Sequence, residues 1–361
     1  MTSPHTAIRN GSGITVAATA TALPPHVITC DDVKRYLSIV FPLQGARLEA
    51  MLAIVENSQV RKRYCIHPIE TIIAPRRLEE ISAEYQKHAI ALGMQVTRDA
   101  LERAELHPQE VDLIVTVSCT GVMIPSLDAH LINALGFRSN VRRLPITELG
   151  CAAGAAALTR AWEFLRANPG GNVLVAAVEL PSLTFQRNNF DPANLISSIL
   201  FGDGAAAAVI RDAEIAGPRV VDSESYFFPD SIDAMGFDLK DSGFHIVLSK
   251  DVPQMIREKI GGLVRCFLGR NGLTRADVRA FALHPGGQKL LLFMEEELRL
   301  TREDTQDSWR VLAEYGNLSS ASVLFVLEEL QRRAPARAGD YGLLAAFGPG
   351  FSAELLLLRW A

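Results

Sequence analysis

No Cys-x-x-Cys pair occurs anywhere in the 361 residues, and no two histidines stand three or four positions apart. The five cysteines (Cys30, Cys65, Cys119, Cys151 and Cys266) are odd in number and scattered, so the chain offers neither a disulfide framework nor the ligand spacing of a zinc site. The eight histidines are equally dispersed, and no bound metal is expected. No apolar run approaches the roughly 20 residues that a membrane-spanning helix needs, and the opening MTSPHTAIRNGSGI lacks the charged-then-apolar plan of a secretory signal. A cytoplasmic protein without membrane insertion is therefore expected. Strong positive charge is lacking too. A net charge of −5 gives no general attraction for nucleic acid or anionic lipid, and the basic run VRKRY, Val60 to Tyr64, is too short to reverse that. Any anionic partner must be met locally.

The chain does have apolar residues in quantity, 48% of the total, and at this length they can fill the core of two domains or of one duplicated domain. Ile81, Tyr85, Ala89, Leu92, Val96 and Ala100 recur at helical spacing, and VDLIVTVS, Val111 to Ser118, follows as a buried strand. A helix at Leu127 to Leu135, another opening at Cys151 and a strand NVLVAAVE continue the alternation, which predicts α/β layers around a mostly parallel sheet. Two stretches then look alike. EVDLIVTVSCTG, from Glu110, parallels DVRAFALHPGG, from Asp277; LGCAAGAAAL around Cys151 parallels YGNLSSASVLF around Asn317; and each is followed by an apolar strand, NVLVAAVE or YGLLAAFG. The order predicts a duplicated fold: residues 1–15 an extension, 16–225 a first half carrying the nucleophile, and 226–361 a second half carrying His and Asn.

Such halves would bring Cys151, His284 and Asn317 to one side of the molecule. A cysteine at a helix start sits beside unpaired N–H groups and the positive end of the helix dipole, which lowers a thiol pKa. His284, ending a strand in ALHPGG, would hold the thiolate as an ion pair, and Asn317 would supply a neutral amide donor. Read singly, each residue is ordinary: a small core residue, a turn, an N-cap. Their matched placement in two similar halves is what points to catalysis.

LGCAAGAAAL, LFGDGAAAAV, HPGGQKLL, YGNLSSASVLFVLEEL and FGPGFSAELLLLRW, in this order, resemble the type III polyketide synthases, the chalcone-synthase-like branch of the thiolase-fold condensing enzymes. The resemblance runs from about residue 16 to the C-terminus. It implies a five-layered αβαβα thiolase-like fold, a homodimer, and a catalytic triad of Cys151, His284 and Asn317. Malonyl-CoA and acyl-CoA would be the substrates, with no other cofactor and no metal. Residue by residue, it also implies that Phe201 shapes the tunnel neck, with Phe244 as the second gatekeeping phenylalanine. Cys119, Thr184 and Ser197 fall on cavity positions, and Gly348 and Gly350 on the loop that shapes the cyclisation pocket. Arg61, Lys62 and Arg63 would meet the CoA phosphates. Two positions depart from the plant pattern: Cys119 stands where threonine is usual, and Ser197 replaces a glycine, which argues against an aromatic starter folded into chalcone.

For the product, PDSIDAMGFDL, Pro229 to Leu239, resembles the alkylpyrone and alkylresorcinol synthases, which take fatty acyl-CoA starters. LLAAFGPGFSAE and DLKDSGFH also resemble phloroglucinol-forming enzymes, and Cys119 is shared with those that make tetrahydroxynaphthalene from malonyl-CoA alone. A long-chain acyl starter is the favoured expectation, with a malonyl-primed synthase as the alternative. A ketoacyl-ACP synthase III would share the triad but differs in its His and Asn motifs, and a non-catalytic binding subunit would be expected to have lost a triad residue.

Overall fold

The computed structural model describes residues 13–41, 44–334 and 336–361. Most of the expected 1–15 extension lies outside the described residues, and its last two, Ile14 and Thr15, already belong to β1. The chain begins with β1 (Ile14–Ala22), β2 (His26–Thr29), α1 (Cys30–Val40), α2 (Gly45–Asn57), β3 (Lys62–Cys65), α3 (Ile69–Ile72) and α4 (Leu78–Arg103). It continues through β4 (Leu113–Val117), α5 (Leu127–Leu135), β5 (Arg142–Ile146), α6 (Ala153–Ala167), β6 (Asn172–Glu179), α7 (Pro192–Leu200) and β7 (Gly204–Asp212). The second half comprises β8 (Pro218–Phe227), the hairpin β9 (Met235–Lys240) and β10 (Gly243–Leu248), α8 (Val252–Arg270) and β11 (Val278–Leu283). After these come α9 (Gln288–Leu298), α10 (Gln306–Tyr315), α11 (Ser322–Arg333), β12 (Tyr341–Gly348) and β13 (Ser352–Trp360).

Nine strands join in the order β11-β12-β13-β8-β1-β7-β6-β4-β5. The sheet is mixed rather than mostly parallel. Parallel pairing is confined to β4 with β5, β4 with β6, and β11 with β12. β12 and β13 are joined by a turn of only three residues, too short for a parallel crossover, so they must pair antiparallel. The seam between the halves is narrow: β1 meets β8 at one register position, Thr15 with Arg219, whereas β8 runs along β13 from Pro218 to Phe227. The boundary expected at 226 therefore falls inside a strand of the second half, and the change of half comes before Pro218.

Strand alternation divides the interior into layers. Leu113, Val115 and Val117 of β4 face α6, while Ile114 faces α4 and α5. In the other half, Leu344 and Ala346 of β12 face α11, while Leu343, Ala345 and Phe347 face α8 and α9. Outer helices, half-sheet, central α6 and α11, half-sheet and outer helices make the five αβαβα layers. Alanines and glycine at 152–157 let α6 approach α11 closely: a side chain at Gly154 would place its Cβ 2.2 Å from the Ser320 carbonyl oxygen.

Candidate active site

Cys151 lies in a 3-10 turn, Gly150–Ala152, that leads into α6. Gly150 has φ +48, and a Cβ there would stand 2.5 Å from Pro349 Cδ, so the turn requires glycine twice over. The thiol is 7% exposed and donates to Ser319 Oγ at 3.4 Å. Contrary to the sequence expectation, its environment raises its pKa. Burial pushes the Cys151 thiol up to about 12; the Ser319 hydrogen bond opposes this, and the nearby Glu179 carboxylate adds to it. A helix start lowers a thiol pKa where solvent reaches it, and the Cys151 sulfur is buried.

His284 follows β11 and is 2% exposed; burial lowers its pKa to about 4, and its Nδ1 has no hydrogen-bond partner. Burial thus disfavours the charged form of each, against the preformed ion pair expected from the sequence. Asn317 lies just before a second 3-10 turn, Ser319–Ala321, where it bridges to Phe201. Its Oδ1 accepts from Ser319 N at 2.8 Å and from Ser322 Oγ at 3.3 Å. With Oδ1 occupied, Nδ2 is the outward donor; it makes a 3.5 Å contact to the Gly286 carbonyl, and the Asn317 side chain also opposes the upward shift of the Cys151 thiol.

Behind the thiols lies Glu179, fully buried at the end of β6. Its carboxylate accepts from Cys119 N at 3.1 Å and Thr120 Oγ1 at 2.8 Å, and also from Ser320 Oγ. Burial nevertheless holds the Glu179 carboxyl above the usual range. Cys119 Sγ is 3.3 Å from Ser319 Oγ, so a single hydroxyl lies between the two sulfurs. Burial, then Glu179, pushes the Cys119 thiol up as well. Sequence reasoning missed Ser319 and Glu179. The signal for Glu179 was present, an acid ending an otherwise apolar buried strand; Ser319 had none.

A cavity of about 1100 Å³, counting its open mouth, reaches Cys151. Cys119, Thr184, Ser197 and Phe201 line it; His284 and Asn317 do not. Phe244 does not line it either: in the β9–β10 hairpin Phe237 reaches the cavity, and Phe244 packs edge-on against Phe237 at 5.6 Å. Gly348 and Gly350 are also absent from the wall, where Gly150 and Pro349 stand instead. Gly348 acts through packing, since a Cβ there would lie 2.3 Å from the Leu149 carbonyl and 2.7 Å from Ala152 N, and Gly350 provides φ +131. Within β3, strand alternation turns Lys62 outward and Arg63 inward, while Arg61 lies just before the strand. Arg61 and Lys62 pair with Glu314 at the surface, whereas Arg63 is buried in the cavity wall and donates to the Ile199 carbonyl. Arg63 therefore faces the cavity interior rather than the surface where Arg61 and Lys62 stand.

The first-half family description, the N-terminal domain of chalcone and stilbene synthases, matches residues 3–214, and that of the C-terminal domain matches residues 219–361. The 1,3,6,8-tetrahydroxynaphthalene synthase of Streptomyces peucetius subsp. caesius is 38% identical over 361 residues, covering 99% of this chain and 95% of that protein. The phloroglucinol synthase of Pseudomonas fluorescens is 34% identical over 338 residues, covering 93% of this chain and 96% of the relative. The crystal structure of the Streptomyces coelicolor tetrahydroxynaphthalene synthase, a bacterial type III polyketide synthase, superposes with a TM-score of 0.93 at 36% identity, over 96% of this chain and 99% of that one. The chain belongs to the chalcone and stilbene synthase family and is an enzyme, a type III polyketide synthase.

Proposed function

We propose that this synthase loads an apolar acyl starter from acyl-CoA onto Cys151, extends it with malonyl-CoA and cyclises the product to an alkylpyrone or alkylresorcinol. The observation that carries this reading is the composition of the cavity wall. Val33, Leu37, Val40 and Phe41 from α1 and its C-terminal end, with Ile69 and Ile72 of α3, form an apolar surface continuous with the Cys151 end. Met235, Ile246 and Leu248 extend it along the hairpin. A hydrocarbon chain loses little by leaving water for such a wall, at about 0.8 kcal/mol gained per methylene buried.

Burial favours a neutral resting pair, which suits acyl transfer. As the Cys151 sulfur attacks the thioester carbonyl, its proton passes to His284, and the departing CoA thiolate takes that proton away. Malonyl-CoA then loses CO2. The resulting enolate is stabilised by N–H donors of His284 and of Asn317, whose Oδ1 is already committed to Ser319 and Ser322. The enolate carbon attacks the Cys151 thioester, the extended chain leaves on CoA and the sulfur is regenerated. The condensation needs no cofactor beyond the CoA thioesters. In this reading Arg61 and Lys62, held at the surface by Glu314, meet the CoA phosphates. A homodimer is part of this reading, supported by the exposed Val122 and Ile124 on one loop, and light scattering after size exclusion would test it. Among the described residues no helix is long and apolar enough to cross a membrane and all five cysteines are free, which supports the cytoplasm as its location.

Product analysis by mass spectrometry, with malonyl-CoA alone and with acyl-CoA starters of graded length, tests the proposal. Long starters incorporated in preference to acetyl would support it. A second reading, priming by malonyl-CoA itself to a phloroglucinol or naphthalene product, is favoured by the Cys119 thiol beside the same Ser319 hydroxyl, and by the activities named for the two relatives. Equal product from malonyl-CoA alone, with no acyl incorporation, would establish that reading in place of the first.

A further inference from the structure

Outside the cavity wall, His67, Glu84 and His88 converge, with one ligand atom from each within 4.8 Å of the others. Glu84 and His88 stand one turn apart on the same face of α4, and His67 follows β3 across the gap. His67 Nε2 lies 2.9 Å and His88 Nε2 lies 3.1 Å from the same oxygen, Glu84 Oε2, and the two rings meet edge to face with centroids 5.4 Å apart. In a tetrahedral zinc site with bonds of about 2.0 to 2.1 Å, ligand atoms are about 3.3 Å apart. The two histidine–carboxylate distances need only a few tenths of an ångström of opening to reach that spacing, and the two histidine ligand atoms lie within 4.8 Å of each other. All three residues are partly buried, with side chains 20 to 31% exposed, which leaves a face for a solvent ligand.

We propose that His67, Glu84 and His88 form a binding site for one first-row divalent cation of the zinc class, with water completing the coordination. Two imidazoles and a carboxylate suit that class better than they suit calcium or magnesium. The expectation of a metal-free chain rested on spacing along the sequence, whereas this group is assembled between a loop and a helix. Its role is structural. The loop holding His67 leaves β3 at Cys65, which is in the cavity wall, and passes through Ile66, whose N–H donates to the buried Asp203 at 2.9 Å. A cation would tie that wall to α4 without entering the condensation chemistry. The charges of Arg76 and Lys87 reach the cluster and oppose a cation, so the affinity falls below that of thiolate sites.

The test is cobalt(II) and zinc titration of the purified, metal-stripped full-length enzyme, alongside His88→Ala and, separately, His67→Asn. One equivalent of cobalt should bind with the visible bands of a nitrogen and oxygen site, zinc should compete for it, and both variants should lose that equivalent. Zinc at a hundredfold excess over its dissociation constant should raise the wild-type melting temperature by several degrees and that of the variants by none. Wild-type enzyme that takes up no cobalt overturns the proposal, whatever the variants do. So does uptake that survives in His88→Ala, or that shows the thiolate-to-cobalt charge-transfer band expected for binding at Cys119 or Cys151.

Discussion

In the first half, α6 follows a 3-10 turn at Gly150–Ala152; in the second, α11 follows one at Ser319–Ala321, and the two turns pack against each other at the centre of the molecule. Counting from the helices, the position of Cys151 is taken in the second half by Ser320, which bonds Glu179. Asn317 lies three residues earlier, pinned to Phe201 by a backbone bridge. Matching the halves by their glycines, Gly150 with Gly316, pairs Cys151 with Asn317 and misplaces the correspondence by those three residues. Duplication thus supplied two helix entrances at one centre, and Cys151 and Asn317 occupy different stations along them.

The sharpest way to break the comparison is to remove the group that only the first half has. Cys151→Ala is expected to lower polyketide formation by about a thousandfold or more, because no acyl-enzyme can form. Product analysis showing near wild-type extension would sink the role of Cys151. The donor supplied by the second half comes next. Asn317→Asp should cut CO2 release from malonyl-CoA about 10²- to 10³-fold by setting an anion where the enolate charge develops, while the melting temperature stays close to wild type.

Two further tests concern the contact between the halves. Gly154→Val should cost about 3 kcal/mol in guanidinium unfolding, since its Cβ meets the backbone of the facing turn at 2.2 Å; an unchanged midpoint would mean that α6 does not pack against that turn. His284 gives a pH signature. Its folded pKa of about 4 lies below the usual 6.5, so the unfolded chain takes up the proton first and stability is lost as pH falls from 6.5 towards 4. The difference in unfolding free energy between wild type and His284→Asn should change by about 3 kcal/mol across that window. Taking the difference matters because buried Asp203, raised to about 6, acts in the opposite sense.

The smallest effect is expected at the basic run. Arg61→Ala breaks an exposed ion pair and should alter stability by less than about 0.5 kcal/mol, while raising KM for CoA thioesters. Arg63→Ala, two residues on, should cost several times more stability without a specific effect on CoA. The reverse ranking would place the CoA contact at Arg63.

Much of the architecture was legible along the chain, because periodicity is a local property. Leu127–Leu135, NVLVAAVE and YGLLAAFG carry their own burial pattern, and helix and strand formed where that pattern stood. The residues Cys151, His284 and Asn317 were likewise marked by glycine, proline and small neighbours that constrain the backbone nearby. What surrounds them was not marked. Which of Arg61, Lys62 and Arg63 faces inward, whether Phe237 or Phe244 reaches the cavity, and which hydroxyl lies between the two thiols all depend on elements distant in sequence. The protonation of the site belongs to the same class. A helix start by itself argues for a lowered thiol pKa, but the layers that converge here bury His284 and leave Cys151 only 7% exposed at the end of the cavity. Desolvation, which only the tertiary structure produces, disfavours the charged form of both the sulfur and the imidazole.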